Sequence, residues 1–493
     1  MSLPHLPILR HGVPYTSLDV AEIPNVATGE PAIRVSQANS GLIGRDLKQS
    51  RASRDALRRI PIAERIAMVK RAGDIFQNDT LPLGEDGQTQ SPDDYVRQLA
   101  TTSGLPYALI RMNMKRLGGI FADIDTILRG LTRGMDLDVL DRGYGTQGGA
   151  PVAYHCVTDN LAVILPSNSP AVNALWIPAI ALGVPVILKP GREEPWTPWR
   201  VIQALIKAGI PREAFSYYPT GHDGSGLLLR HAGRVMMFGD DATVAQYAAD
   251  PRVEVHGSGR SKILIGEDKI EQWRDYLPLM VESVSANSGR SCINASAILV
   301  PRYAEEIAAA LAKELLPMVP RATDDPDARL SGFANPAMPE WIDSTITEGL
   351  TTPGATDLSA TLRSPSSGGP DGSSPSTRRA TRDGMNYLLP TIIHCPAFDH
   401  PLANREFLFP FASVTAAPQS EMLNLIGPSL VVTAITDDKA WIEELLESPH
   451  IDRLNIGPTP TNRVQWDQPH EGNLFEFLYK RRSIGLTEQF KAA

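Results

Sequence analysis

The stretch LAVILPSNSPAVNALWIPAIALGVPVILKPGREEP, residues 161–195, decides the fold. LAVILP and VPVILKP are short apolar runs of the kind that form strands buried on both faces. Between them, AVNALWIPAIALG has the length of a helix. The alternation continues: TPWRVIQALIKAG reads as a second helix opened by Thr197 and Pro198, AFSYYPTG and RVMMFGD as further short strands, and DATVAQYAA as a helix following Asp240. Strand, helix, strand, helix at this spacing implies right-handed crossovers and a parallel sheet. Ligands on such sheets sit beyond the carboxyl ends of the strands, where PSNSP, KPGREE and GDD fall.

Outward from this core, the 493 residues exceed what one hydrophobic core usually serves, so two or three domains are expected. A hydrophobic share of 42% and a charged share of 21% describe an ordinary globular protein. The net charge of −9, with no cluster of Lys and Arg, argues against nucleic acid as a partner. The amino terminus lacks the basic start and apolar block of a secretory signal, and no run of about 20 apolar residues offers a membrane span. Cys156, Cys292 and Cys395 are an odd, widely spaced set without metal-site spacing. No metal is expected, and a reducing cytoplasm is the expected location.

Residues 55–76 place apolar side chains at three- and four-residue steps and read as one amphipathic helix. Residues 135–158, with β-prone pieces around Gly-Gly and Pro, read as an extended ribbon. After KILIGEDK, YAEEIAAALAKELL (303–316) is a strong helix, and NYLLPTIIHCPAF, FPFASVTAA and SLVVTAIT suggest strands of a second α/β unit. Residues 359–384, dominated by Ser, Pro, Gly and Arg, read as a surface loop.

The segment SANSGRSCINASAILVP (285–301) sets Cys292 between a turn-rich stretch and a run that starts a strand or helix. A thiol at the end of a loop can serve as a nucleophile where N–H groups or positive charge favour its thiolate. A buried structural cysteine is the other reading, and the segment alone leaves both open. An Asn-Ser turn likewise leaves Asn168 open between a turn role and a donor role.

Together these motifs resemble the aldehyde dehydrogenase superfamily, in the right order and at about the right spacings. Gly289–Cys292 resembles its Gly-x-x-Cys loop, and PSNSP (166–170) its Pro-x-Asn-x-Pro. The resemblance implies that Cys292 attacks an aldehyde, that Asn168 and the Cys292 backbone N–H hold the oxyanion, and that Pro166 borders the cofactor. The pocket must then lower the thiol pKa, since an ordinary thiol is only a few per cent ionised at neutral pH. Lys189, in LKPGREEP, fits the lysine placed on the adenosine ribose. Arg192 stands where many NAD-preferring relatives carry a glutamate, and a cation there could attract a 2′-phosphate. Gly239 fits the glycine of the Phe-Thr-Gly-Ser turn, with Asp240 a departure beside a pyrophosphate. Glu406, in REFLFPFASV, fits the carboxylate that holds the nicotinamide ribose, although Phe407 is shifted and Phe409 replaces a glycine.

The resemblance implies an α/β, aldehyde-dehydrogenase-like fold with a Rossmann-type cofactor domain (1–134 and 159–256) and an α/β catalytic domain (257–455). It also implies a β-ribbon oligomerisation arm (135–158 and 470–493), whose terminal strand crosses to a neighbouring subunit in a homodimer or homotetramer. The largest departure lies upstream of the cysteine. Aligning HGSGRSKILI on the family's Glu-Leu-Gly-Gly-Lys puts His256 in the slot of the water-activating glutamate, with Glu254 two residues earlier. If either reaches a Cys292 thioester, it can serve as general base and the product is an acid. If neither does, coenzyme A is the alternative acyl acceptor, or the protein runs as an acyl reductase. A catalytically silent binding protein is the reading from another class. NAD or NADP is the cofactor implied, the substrate a small aldehyde, and Trp176 a candidate wall of its pocket.

Overall fold

The computed structural model describes residues 3–84, 87–363 and 378–485. Two seven-stranded sheets organise it. At the centre of the first sheet's five parallel strands lies Leu161–Ile164, all four residues buried. It pairs in parallel with Val186–Lys189 on one side and Arg234–Phe238 on the other. Phe215–Tyr217 and Val253–His256 extend the sheet in parallel on either side. The amino-terminal hairpin, Ile8–Arg10 and Val13–Tyr15, closes one edge antiparallel. Because the chain runs from the central strand first to one neighbour and later to the other, the order reverses there. Such a switch point leaves a crevice at the carboxyl ends of the strands.

The second sheet takes over at Ser261–Ile265, which pairs in parallel with Ala295–Val300 and Ser429–Ile435. Phe411–Ala416, Thr391–Cys395 and Ile451–Ile456 complete its parallel part. Separate apolar cores serve the two sheets, one holding Phe76, Phe121, Trp176 and Trp199, the others Ile298, Val414, Phe411 and Trp441.

Several elements differ from the expectation. Residues 55–76 are not one helix but parts of two, Ser50–Arg58 and Ile62–Asn78. Pro61 divides them, having no N–H to continue the first and restricting the residue before it. The run 171–183 splits into a 3-10 segment Pro170–Leu175 and a short helix Ile177–Ala181, with Pro178 in its first turn. The ribbon is shorter than 135–158, since Val139–Arg142 forms a helical turn. Tyr144–Gln147 and Ala150–Cys156 then pair through Gly148 (φ 57°) and Gly149 (φ 81°). Two positive φ values are what a two-residue hairpin turn needs, and glycine adopts them freely.

The terminal strand Tyr479–Arg482 pairs antiparallel with Ala153–Cys156 of the ribbon. Helix Leu474–Leu478 delivers it there and buries Leu474, Phe475 and Leu478. Of the Ser/Pro/Gly-rich segment, 364–377 lies outside the described residues, as does 486–493 of the arm. The flanks of that segment are the helix Leu358–Leu362 and the strand Arg379–Arg382. Among the described residues, no helix is long and apolar enough to cross a membrane.

Candidate active site

A cleft of about 1220 Å³ opens at the switch point of the first sheet. Cys292, Asn168, His256, Pro166, Gly239 and Glu406 all line it. Glu254, Lys189, Arg192 and Trp176 do not. Trp176 is instead fully buried, its indole N–H donating to Asn173 Oδ1 at 2.9 Å.

Cys292 follows a loop of unusual backbone. Asn287, Ser288 and Gly289 take φ values of 52°, 60° and 65°, three left-handed residues in succession. For residues with a Cβ this conformation is costly, so neighbours must hold it. Asn113, on the helix Tyr107–Ala122, donates to Asn287 Oδ1 at 2.8 Å. Asn287 Nδ2 in turn donates to Ser169 Oγ at 3.1 Å and to Ser291 Oγ at 3.3 Å. Ser288 Oγ accepts the Ser331 N–H at 2.8 Å. Arg290 fastens the other side, donating to the carbonyl of Ser103 (3.0 Å), to Ser331 Oγ (2.6 Å) and to the carbonyl of Ser167 (3.4 Å). Burial lowers its guanidinium to about 10, with Glu193 opposing, which leaves it charged near neutrality.

The turn after the central strand meets this loop directly. Asn168 Nδ2 donates to the Arg290 carbonyl at 2.8 Å, while its Oδ1 is buried without a partner. The second N–H of that amide is available to a ligand oxygen. Gly259 lies under the same loop, where a Cβ would stand 2.0 Å from the Cys292 carbonyl oxygen, so only glycine admits this crossing.

The thiol itself has a partner that local sequence does not announce. Cys292 Sγ donates to Glu471 Oε1 at 3.0 Å. The other oxygen of Glu471 lies 2.9 Å from His256 Nδ1, and His256 Nε2 lies 3.4 Å from Glu254 Oε1. The last contact is too poorly aligned to count as a hydrogen bond and stands as an ion-pair contact. Thiol, carboxylate, imidazole and carboxylate thus form a line running from the cleft into the protein. Phe238 stacks on the imidazole at 4.6 Å. Gly472 has φ 89°, and a Cβ there would come within 2.8 Å of Glu254 Oε1. The two carboxylates raise His256 to about 9 against its burial. Glu471, although buried, is drawn down to about 2 by His256 and the neighbouring charges. The expected lowering of the thiol pKa is reversed, because burial and the Glu471 charge push Cys292 well above its ordinary value. At rest the sulfur carries its proton. Glu471 is further fixed through His470, whose Nδ1 accepts from Arg453 at 2.9 Å.

Across the cleft, Glu406 accepts the backbone N–H groups of Arg260 and Gly259. Asp240 turns its carboxylate back on its own helix, accepting the Thr243 N–H at 2.9 Å, and Asp241 pairs with Arg260. The two acids of this turn are therefore engaged. Phe238, Gly239, Pro166 and Glu406 border a crevice of the kind that takes a dinucleotide, so these residues fit such a group. Lys189 sits half-buried at the end of Val186–Lys189, and Arg192 is exposed beyond it.

The comparisons with known proteins agree with this architecture. N-succinylglutamate 5-semialdehyde dehydrogenase of Sphingopyxis alaskensis is 25% identical over 355 residues, 66% of this chain and 65% of that protein. The chain thus aligns with a little under two thirds of that relative's length. 5-carboxymethyl-2-hydroxymuconate semialdehyde dehydrogenase of Escherichia coli is 24% identical over 389 residues, 75% of this chain and 74% of that one. Among solved structures, an indole-3-acetaldehyde dehydrogenase with NAD+ superposes with a TM-score of 0.77 at 17% identity, covering 98% of this chain and 97% of that one. An NAD+ complex of aldehyde dehydrogenase from Bacillus cereus gives 0.76 at 16% identity, covering 97% and 96%. At such identities the superpositions speak for the fold. The family model of the aldehyde dehydrogenases matches residues 15–426, most of the chain, and on that ground this protein belongs to the aldehyde dehydrogenase family.

Proposed function

We propose that the protein oxidises an aldehyde to the carboxylic acid with NAD or NADP, through a covalent adduct on Cys292. The observation that carries this reading is the line from Cys292 through Glu471 to His256, opening on the same cleft as Asn168. As sulfur attacks the carbonyl carbon, the C–S bond forms, the thiol proton passes to Glu471 Oε1, and the carbonyl pair moves onto oxygen. The free N–H of Asn168 Nδ2 meets that oxygen, a donor fixed beforehand by its bond to the Arg290 carbonyl. The nicotinamide, when bound, supplies the acceptor for the hydride that leaves the adduct carbon. Glu471 releases the thiol proton to solvent, then takes a proton from water as the water oxygen bonds to the thioester carbon, and returns that proton to the sulfur as the C–S bond breaks.

In this reading His256 is not the base but the cation that orients Glu471, and Glu254 acts through His256. Pro166, Phe238, Gly239 and Glu406 would hold the cofactor. Lys189 and Arg192 stand at the end of the neighbouring strand, outside the cleft lining, where Lys189 would serve the adenosine ribose and Arg192 would offer a cation to a 2′-phosphate. The outer side of Tyr144–Gln147 ends its three-stranded sheet among the described residues. An open edge of this kind supports a homo-oligomer in which a second copy covers it.

The test is purified protein with an aldehyde panel and NAD or NADP, with and without coenzyme A, followed by absorbance of the reduced nicotinamide. Reduction without coenzyme A, lost in Cys292→Ala, is expected. Turnover only with coenzyme A would remove the hydrolytic step. Activity absent from both proteins would favour a silent binding protein.

A further inference from the structure

The wall of the cleft facing the cysteine loop is the helix Tyr107–Ala122, which contributes Met112, Lys115, Arg116, Leu117 and Ile120. Three of these are apolar, and Val172, Leu175 and Val464 continue the same surface. The two cations stand out because, among the described residues, neither side chain makes a hydrogen bond or an ion pair. Lys115 is exposed at the rim, and Arg116 is half-buried. Glu282 is the carboxylate whose field Arg116 feels, but no ion pair joins them, and Glu282 Oε1 already accepts from Asn462 at 3.3 Å. A guanidinium withdrawn from water without a partner is a cost that an anion in the cleft would recover.

The position of Arg116 gives that anion a direction. Asn113, one turn earlier, is hydrogen-bonded to Asn287 of the cysteine loop. Three residues of helix rise about 4.5 Å, and helical side chains lean toward the amino end. Arg116 therefore stands on the cleft wall one helical turn from the contact with the cysteine loop, beside the apolar surface. We propose that the aldehyde this cleft accepts carries a carboxylate at the far end of a short apolar chain, and that Arg116 receives that carboxylate, with Lys115 adding positive charge at the rim. A planar guanidinium suits a carboxylate because it can donate two parallel N–H bonds. An aldehyde ending in an ammonium group is disfavoured by the same two cations.

This inference rests on the proposed reaction, so its test has an arm that needs no turnover. In the kinetic arm, succinic and glutaric semialdehydes are compared with butanal, pentanal and 4-aminobutanal in the wild type, Arg116→Met and Arg116→Lys. A kcat/KM at least tenfold higher for the acid-tailed aldehydes is expected, carried by KM. That ratio should collapse toward one in Arg116→Met and be partly kept in Arg116→Lys, with thermal melts showing both variants folded. In the binding arm, glutarate is titrated into the resting protein and read by the fluorescence of Trp341 and Trp466, which line the cleft. Binding that weakens at least tenfold in Arg116→Met supports the inference even if no aldehyde is oxidised, in which case the reaction reading alone falls. Equal use of acid-tailed and methyl-ended aldehydes, or a ratio that survives Arg116→Met, overturns the inference and leaves the reaction reading standing.

Discussion

His256 sits between two carboxylates, and in the proposed reaction the proton it holds bears on both the activity and the stability of the site. Its pKa in the folded protein is about 9 against an ordinary 6.5. Folding therefore favours the imidazolium, and the stability this confers is fully present below about pH 6.5 and is lost as pH rises through 9. Glu471 has the opposite sign, with a folded pKa near 2 against 4.5, so its share is present above 4.5 and lost as pH falls through 2. Catalysis runs against stability here. While His256 is protonated, Glu471 is a weak base and the thiol keeps its proton. Once His256 is neutral, Glu471 no longer faces a cation and accepts a proton more readily. The rate should thus climb through pH 9 while the melting temperature falls between 6.5 and 9. In His256→Gln the inflection near 9 should vanish from the rate profile and the slope of Tm across that window should flatten. Glu471→Gln, which keeps the shape and removes the acceptor, should lower kcat by about 100- to 10,000-fold at every pH. A kcat for Glu471→Gln within threefold of the wild type would remove Glu471 from the chemistry.

The cysteine loop is the element that turns a fold into a site, and its shape is held from outside. Three left-handed residues in a row depend on Asn113, Ser169 and Ser331. Replacing Asn113 by Ala leaves Asn287 Oδ1 buried without its donor, a loss of about 1–3 kcal/mol. Urea unfolding should show that loss, and kcat should fall because the loop that carries Cys292 relaxes, with cofactor affinity unchanged. Much of this element is legible in sequence, and part is not. The apolar runs 161–164 and 186–189 announce buried strands because every side chain there is apolar or end-placed, and the GRSC stretch announces a turn. Pro61 and Pro178 each interrupt a helical pattern that periodicity alone carries across. Glu471 is another matter. It lies 179 residues from Cys292, in a PHEG stretch that reads as a terminal arm, and only the return of the chain before the last strand brings it to the sulfur. Positive φ at Asn287, Ser288 and Glu471 is equally silent in sequence, because residues that are not glycine carry no mark of it.

At the scale of the molecule, residues 257–260 carry the chain from the last strand of the first sheet, Val253–His256, to the first strand of the second, Ser261–Ile265. This crossing runs beneath the Cys292 carbonyl at Gly259 and is gripped by Glu406 through the N–H groups of Gly259 and Arg260. One carboxylate therefore ties both sheets together at the mouth of the proposed cofactor crevice. Burial raises it to about 7, with those two N–H groups and the Arg260 and Lys262 charges opposing the rise. Folding favours its neutral form, so the stability associated with the proton is lost as pH rises from about 4.5 through 7. A cofactor that donates ribose hydroxyls to Glu406 bonds the ionised carboxylate more strongly than the neutral acid. Binding should accordingly strengthen across the same interval in which the apo protein weakens. The rise in Tm produced by a fixed excess of NAD should be larger at pH 8 than at pH 6, and titration calorimetry should give a several-fold lower Kd at pH 8. Glu406→Gln, which keeps an acceptor for one backbone N–H but cannot ionise, should bind with little dependence on pH. A wild-type Kd that is flat from pH 6 to 8 would place the ribose elsewhere and leave Glu406 as a structural clasp between the sheets.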